Sequence, residues 1–263
     1  MLIGAMNHPA RDPAAEIDWM ARLGLDFIDL TLEPPGAPSW SVDARAIRRV
    51  LESYNMQAVG HTAYYLPIAS AIRELRLSAV EELRRCMRVF RDVGARWMNV
   101  HPDRHVPFHD REFCIRMNQE SLRTLLVESE KTGVGLMIEN LPGEFNSASQ
   151  LGELLDPLPE LALHLDIGHC NLMVSHNTTE EILARYGSRL RHVHLHDNRG
   201  GHADLHLPLG AGNIDVRSAL RALQRTGYDS TITLEVFTPD QEHFVYSRNL
   251  LRRMWDELAA PAA

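Results

Sequence analysis

The sequence predicts an α/β protein built as a single (β/α)8 TIM barrel, on three observations. Its 263 residues match one complete barrel, which needs about 250. Short apolar runs alternate with helical patterns along the chain, the signature of a parallel sheet assembled from βα units. Many of those runs end in histidine or carboxylate, as strands do when they present chemistry at a barrel mouth.

The predicted strands are Leu2–Met6, Leu25–Leu30, Met56–His61, Arg96–His101, Val134–Asn140, Leu161–Asp166, Arg191–His196 and Thr231–Val236. Val134-Gly135-Leu136-Met137-Ile138 is the near-continuous apolar run of a strand buried on both faces. Between the strands, Asp12-Pro13 offers an N-cap followed by proline at the first helical position. Ser147-Ala148-Ser149-Gln150 and Thr178-Thr179-Glu180-Glu181 have the form of capping boxes. The stretch from Ser70 to Val93 is amphipathic, with Arg84, Arg88 and Arg91 on one solvated face. Residues 1–258 form the predicted barrel and residues 259–263 a short tail of small residues, with no linker between domains.

A chain of this size buries roughly three quarters of its unfolded surface and needs no disulfides. Its 44% hydrophobic and 24% charged residues are ordinary for a soluble enzyme. Cys86, Cys114 and Cys170 show no C-x-x-C spacing, which fits reduced thiols. The N-terminal run lacks the basic flank and long apolar core of a signal peptide, and no segment reaches membrane-spanning length, so a cytoplasmic location is expected. A net charge of −8 argues against nucleic acid as the partner, because such binding rests on neutralising phosphates. Lys131 is the only lysine and falls before a strand, at the wrong end of the barrel for a Schiff base. Subunit number is left open, a homo-oligomer being one option.

Strand ends carry the chemistry. His61 and His101 close the third and fourth strands, Glu139-Asn140 the fifth, and Asp166 the sixth, with His169 three residues on. In Arg191-His192-Val193-His194-Leu195-His196 the period of two puts three histidines on one face, directed inward. Asp204 and His206 follow in the next loop, and Glu235 shares a face with Thr231 and Thr233. One such residue has a structural explanation; His105, His109, His176, His202 and His243 are left under it. The set does not, because buried carboxylates cost several kcal/mol each unless paired or metal-bound. Imidazole with carboxylate suits zinc, manganese, cobalt or iron better than calcium.

His164-Leu165-Asp166-Ile167-Gly168-His169, Ile138-Glu139-Asn140, His194-Leu195-His196-Asp197-Asn198, Leu209-Gly210-Ala211-Gly212-Asn213-Ile214-Asp215 and Leu234-Glu235 resemble the xylose isomerase-like barrel superfamily over nearly the whole chain. The resemblance implies a divalent cofactor, one to three ions of zinc, manganese, cobalt or magnesium. In the isomerase and epimerase branch one ion is held by residues matching Glu139, Asp166, His194 and Glu235. Glu139 and Glu235 would be the catalytic pair, moving a proton through an enediolate, with His169 on the substrate. In the trinuclear-zinc abasic-site endonucleases the matching metal ligands are His61, His101, Glu139, Asp166, His169, His194, Asp204, His206 and Glu235. All nine have the required side-chain type.

The resulting expectation is an isomerase or epimerase of a small sugar or sugar phosphate, followed by a multinuclear zinc phosphoesterase, with DNA repair third. Leu205 stands where the endonucleases carry arginine. Substrate-binding candidates are His169, Glu33, Arg199 and Tyr64, with Thr31, Tyr65 and Trp40 nearby. Arg104, Arg199 and the Gly210–Gly212 amides are candidates for holding a phosphate.

Overall fold

Eight parallel strands hydrogen-bond in chain order and close on themselves, β1 pairing with both β2 and β8. The computed structural model describes residues 1–238 and 240–259. The order is β1 (Leu2–Met6), α1 (Pro13–Arg22), β2 (Phe27–Leu32), α2 (Ala44–Tyr54), β3 (Gln57–Thr62), α3 (Arg73–Val93), β4 (Trp97–Val100) and α4 (Arg111–Thr132). It continues with β5 (Gly135–Glu139), α5 (Ala148–Leu155), β6 (Ala162–Asp166), α6 (Thr179–Tyr186), β7 (Leu190–Leu195), α7 (Val216–Arg225), β8 (Thr231–Leu234) and α8 (Gln241–Ala259). All eight predicted strands are present, their ends displaced by at most two residues. Of the predicted tail, Ala259 ends α8 and residues 260–263 lie outside the described residues.

The strand periodicity divides two environments. Ile28, Leu30, Met98, Val100, Leu136, Ile138, Leu163, Leu165, Val193, Leu195, Ile232 and Leu234 join the helices in one large apolar cluster. The alternate residues face the barrel axis. There the apolar packing is a separate small cluster of Phe27, Val59, Met137 and Ala162, flanked by Leu2 and Trp97. The next positions along the same faces are Asp29, His61, Asn99, Glu139 and His164, all buried. The interior is therefore apolar only at the floor and polar above it.

Local signals account for most helix boundaries. Asp12 accepts from the Ala14 amide, and Pro13 opens α1. Ser147 and Gln150 make the reciprocal capping box at the start of α5. The second predicted box is not formed. The Thr178 hydroxyl instead donates to the Asn146 and Cys170 carbonyls, and the Asn177 side chain accepts from the Thr179 amide. Burial of Thr178 against the preceding loop takes its hydroxyl away from the helix start. Lys131 lies in the last turn of α4 at the floor end of β5, and Arg84, Arg88 and Arg91 pair with Glu81, Glu128 and Asp92 on the outer surface.

Phe27 is 0% exposed at the centre of the floor. Phe27→Ala should cost about 3–5 kcal/mol in urea unfolding. Phe108→Ala, at a fully exposed position, should change stability by no more than about 0.5 kcal/mol.

Candidate metal centre

Parallel pairing sets the strand ends side by side: Asp166 is in register with His194, Glu139 with His164, and His194 with Thr233. Because each strand alternates, these residues converge on the axis without any loop having to carry them. Asn140 fixes the β6 end, its side chain donating to the Asp166 carbonyl and accepting from the Asp166 amide. A short 3-10 turn, His169–Asn171, then folds back so that the His169 amide donates to Asp166 Oδ1.

Three adjoining groups result. In the first, His101 Nε2 lies 2.9 Å from Glu139 Oε2, the His61 and His101 rings meet edge to face at 5.1 Å, and Asn99 donates to the same carboxylate oxygen at 2.8 Å. In the second, His194 Nδ1 lies 3.1 Å from Glu235 Oε2 and 3.9 Å from Asp166 Oδ2, and potential ligand atoms of Glu139, Asp166 and His194 lie within 4.8 Å of one another. In the third, His169 Nε2 and His206 Nε2 each lie 3.2 Å from Asp204 Oδ2. All nine sequence-predicted ligands are thus brought together. Ligands around 2.0–2.2 Å from one ion sit about 3–4 Å apart, the spacing seen here.

The electrostatics fit cations. Burial alone would raise the carboxylate pKa values, but the surrounding imidazoles win. Asp166 is held well below its usual range by His169, His196 and His194, and Glu139 is brought down to about 2 mainly by His101. Conversely, burial would lower His169 and His206, but Asp166 and Asp204 lift His169 to about 10, and Asp204 and Glu235 lift His206 to about 9. Burial does prevail at His61, lowered to about 4, and at His164. Among the described residues no arginine or lysine pairs with Glu139, Asp166, Asp204 or Glu235. Several buried polar atoms lack partners: His61 Nδ1, both nitrogens of His164, Asp166 Oδ2 and His196 Nε2. Orphaned atoms of this kind in a cluster of imidazole and carboxylate are groups that a divalent ion could satisfy.

The sequence reading turned His192 and His196 inward without giving them a role, and it missed Asp29, Asn99 and His164 as parts of the site. Asp29 Oδ2 receives His194 Nε2 at 2.6 Å, His192 Nε2 at 3.2 Å and the Thr233 hydroxyl at 3.0 Å. It orients His194 so that Nδ1 faces Asp166 and Glu235. The available signal was an aspartate inside the apolar run Phe27-Ile28-Asp29-Leu30.

The rim predictions divide. Glu33 is half-buried at the mouth, its carboxyl pushed up by burial, and Tyr64 packs edge-on against Tyr65. Arg104 and Arg199 are exposed, and neither is paired with a ligand residue. The Gly210 and Gly212 amides are not free for a phosphate, because both donate to Asp197 Oδ2 at 2.9 Å. That expectation is corrected: Asp197, buried at the end of β7, claims the loop for itself.

A closed barrel with carboxylates and imidazoles gathered at its C-terminal mouth defines a candidate metal-binding (β/α)8 protein. The chain belongs to the xylose isomerase-like TIM barrel family, whose model matches residues 17–254. It is 24% identical over 247 residues to a fructoselysine 3-epimerase of Escherichia coli O157:H7, covering 89% of each chain. Among solved structures it is similar to a D-tagatose 3-epimerase-like protein, with TM-score 0.85, 22% identity and 98% of both chains covered. It is also similar to endonuclease IV from Thermus thermophilus, with TM-score 0.73, 22% identity and coverage of 98% of this chain and 100% of that one. No helix among the described residues is long and apolar enough to cross a membrane.

Asp29→Asn retains the shape of the side chain but removes the charge that holds His194. Divalent-ion affinity should fall about 10–100-fold in calorimetric titration. An affinity equal to the parent's would remove Asp29 from the site.

His169 and His206, with pKa values raised to about 10 and about 9, carry protons at neutral pH when no ion is bound. Protonated imidazole cannot ligate, so ion loading should release protons and apparent affinity should rise from about pH 6 to about pH 9. Titrations in buffers of different ionisation enthalpy measure the proton count; a pH-independent affinity would contradict the assignment of these two as ligands.

Proposed function

We propose that the chain is a divalent-metal-dependent isomerase or epimerase of a small sugar, with one ion held by Glu139, Asp166, His194 and Glu235. The observation carrying this reading is the placement of Glu139 on β5 and Glu235 beyond β8, either side of the Asp166–His194 pair. The bound ion would polarise neighbouring ketose oxygens and stabilise the enediolate. One glutamate removes the proton from the carbon beside the carbonyl, and the other, already protonated, delivers its own proton to the opposite face of that carbon, both being reset by exchange with water. Asn99 and His101 hold Glu139 Oε2, which orients that carboxylate for the transfer.

The rim supports an uncharged sugar ahead of a sugar phosphate. Tyr64, Tyr65 and Trp40 are exposed there, Glu33 adds an acid, no arginine or lysine among the described residues pairs within the cluster, and the nearby glycine amides are committed to Asp197. The 3-epimerases among its relatives support a small-molecule sugar substrate.

A second reading, a multinuclear zinc phosphoesterase, is favoured by the completeness of the His61–His101 and Asp204–His206 groups beside the central quartet. One experiment separates the two. Purified protein is screened against ketoses in deuterated water for epimer formation and for deuterium at the carbon beside the carbonyl. Glu139→Gln and Glu235→Gln should each lower turnover at least about 100-fold, whereas His61→Ala and Asp204→Ala should be milder. Full turnover in either glutamine variant would sink the proton-transfer reading. Hydrolysis of phosphate esters, equally damaged by all four changes, would establish the phosphoesterase instead.

A further inference from the structure

His196 is absent from both ligand sets that the family resemblance implies, yet its surroundings are those of a ligand. The side chain is 0% exposed. Its Nε2 lies 3.4 Å from Asp166 Oδ1 and 3.6 Å from Asp204 Oδ1, and makes a hydrogen bond to neither. Its ring stacks on that of His206, centroids 4.2 Å apart. Nδ1 faces the Asp197 carbonyl at 3.4 Å, which directs Nε2 into the cluster.

That arrangement repeats at two neighbours. His169 places Nδ1 2.8 Å from the Asn140 carbonyl and His206 places Nδ1 3.1 Å from the Glu235 carbonyl, and each turns Nε2 toward Asp204. Main-chain carbonyls are the usual partners of the non-ligating nitrogen in metal-bound histidines. Three histidines from three parts of the chain therefore present Nε2 around one rim carboxylate. Of the three, His196 alone turns Nε2 toward Asp166, one of the carboxylates of the central quartet, which His169 approaches with Nδ1.

The chain also makes room for this ring. Gly168 lies so close to it that a Cβ would sit 2.1 Å from His196 Nε2 and 2.2 Å from Cε1. The backbone of Gly168 is in the right-handed helical region, φ −66° and ψ −45°, which any residue can adopt. The absent side chain is required by the imidazole, not by the backbone.

We propose that His196 Nε2 is a ligand of an outer divalent ion, shared with Asp166 and Asp204 and completed by His169 and His206. The ion is of the kind that takes imidazole and carboxylate together, such as zinc, cobalt(II) or manganese(II). Ligands around 2.0–2.2 Å from one ion sit about 3–4 Å apart, and the two carboxylate oxygens stand 3.4 Å and 3.6 Å from Nε2. A site held this way has one imidazole more than the His169–Asp204–His206 group alone supplies, and it shares a carboxylate with the central quartet.

The test is titration of the chelator-treated full chain with cobalt(II), followed by visible absorption and by elemental analysis of the loaded protein. It reads no turnover, so it stands or falls apart from the sugar chemistry. His196→Ala should load one ion fewer per chain, or load the outer ion at least tenfold more weakly, while the central quartet still fills. Gly168→Ala, which changes no ligand but displaces the ring, should show the same deficit, and adding His196→Ala to it should cost nothing further. Added imidazole should restore the lost absorption in His196→Ala. Unchanged stoichiometry and affinity in a folded His196→Ala would overturn the proposal, as would a normal outer ion in Gly168→Ala.

Discussion

The constraint on which the rest of this structure depends is negative charge buried with no arginine or lysine among the described residues to meet it. Asp29, Glu139 and Asp166 are each no more than 2% exposed, and Glu235 stands just above them. An isolated carboxylate in such a place would take up a proton rather than stay charged. Here the acids are held in the charged form because imidazoles surround them, and some imidazoles are held charged by the acids in turn. Protons and divalent ions are then alternative counter-charges for one cage. Imidazolium and carboxylate thus offset one another inside the folded barrel, and ion binding at this cage would be tied to pH.

Barrel geometry makes the cage inexpensive in backbone terms. The same alternation that sends Ile138, Leu165, Val193 and Leu195 outward sends Glu139, Asp166 and His194 inward. The apolar floor of Phe27, Val59, Met137 and Ala162 closes the bottom, so the polar layer above it opens only toward the mouth. Asp29 links the two levels. It stands directly above the floor on β2 and reaches across the axis to His192 and His194 on β7. A contact of 163 and 165 residues' separation thus couples barrel closure to the orientation of a candidate metal ligand.

The fold was legible in the sequence because buried parallel strands and their caps are local signals, and each strand end carries its own punctuation. The nine ligand candidates were legible for the same reason. Asp29 and His164 were harder to read, since each lies inside a strand and gains its meaning only when the barrel closes and brings distant strands to one axis. His196 carried the period-two signal but stood beside His194 in the same motif, where one histidine was enough to account for the pattern. The opposite error occurred at Gly210–Gly212. Glycine amides near a site read as anion holders, and only the structure shows Asp197 already taking them.

Asp197 bears on what the outer residues are for. Its backbone exchanges both hydrogen bonds with Leu207, and its carboxylate accepts from the amides of Asn198, Gly210, Gly212 and Ile214. These contacts bind both ends of the loop that carries Asp204 and His206. His206 itself adopts a left-handed conformation, φ 44°, a state that costs a non-glycine residue of order 1 kcal/mol or more and persists where surroundings impose it. Its carbonyl is taken by the Phe237 amide and its Nδ1 by the Glu235 carbonyl. A rim loop that only bordered the mouth would need neither a buried aspartate at its root nor a strained histidine at its turn. Both are accounted for if Asp204 and His206 must stand at fixed distances from His169, His196 and Asp166, which is the requirement that a shared ion imposes.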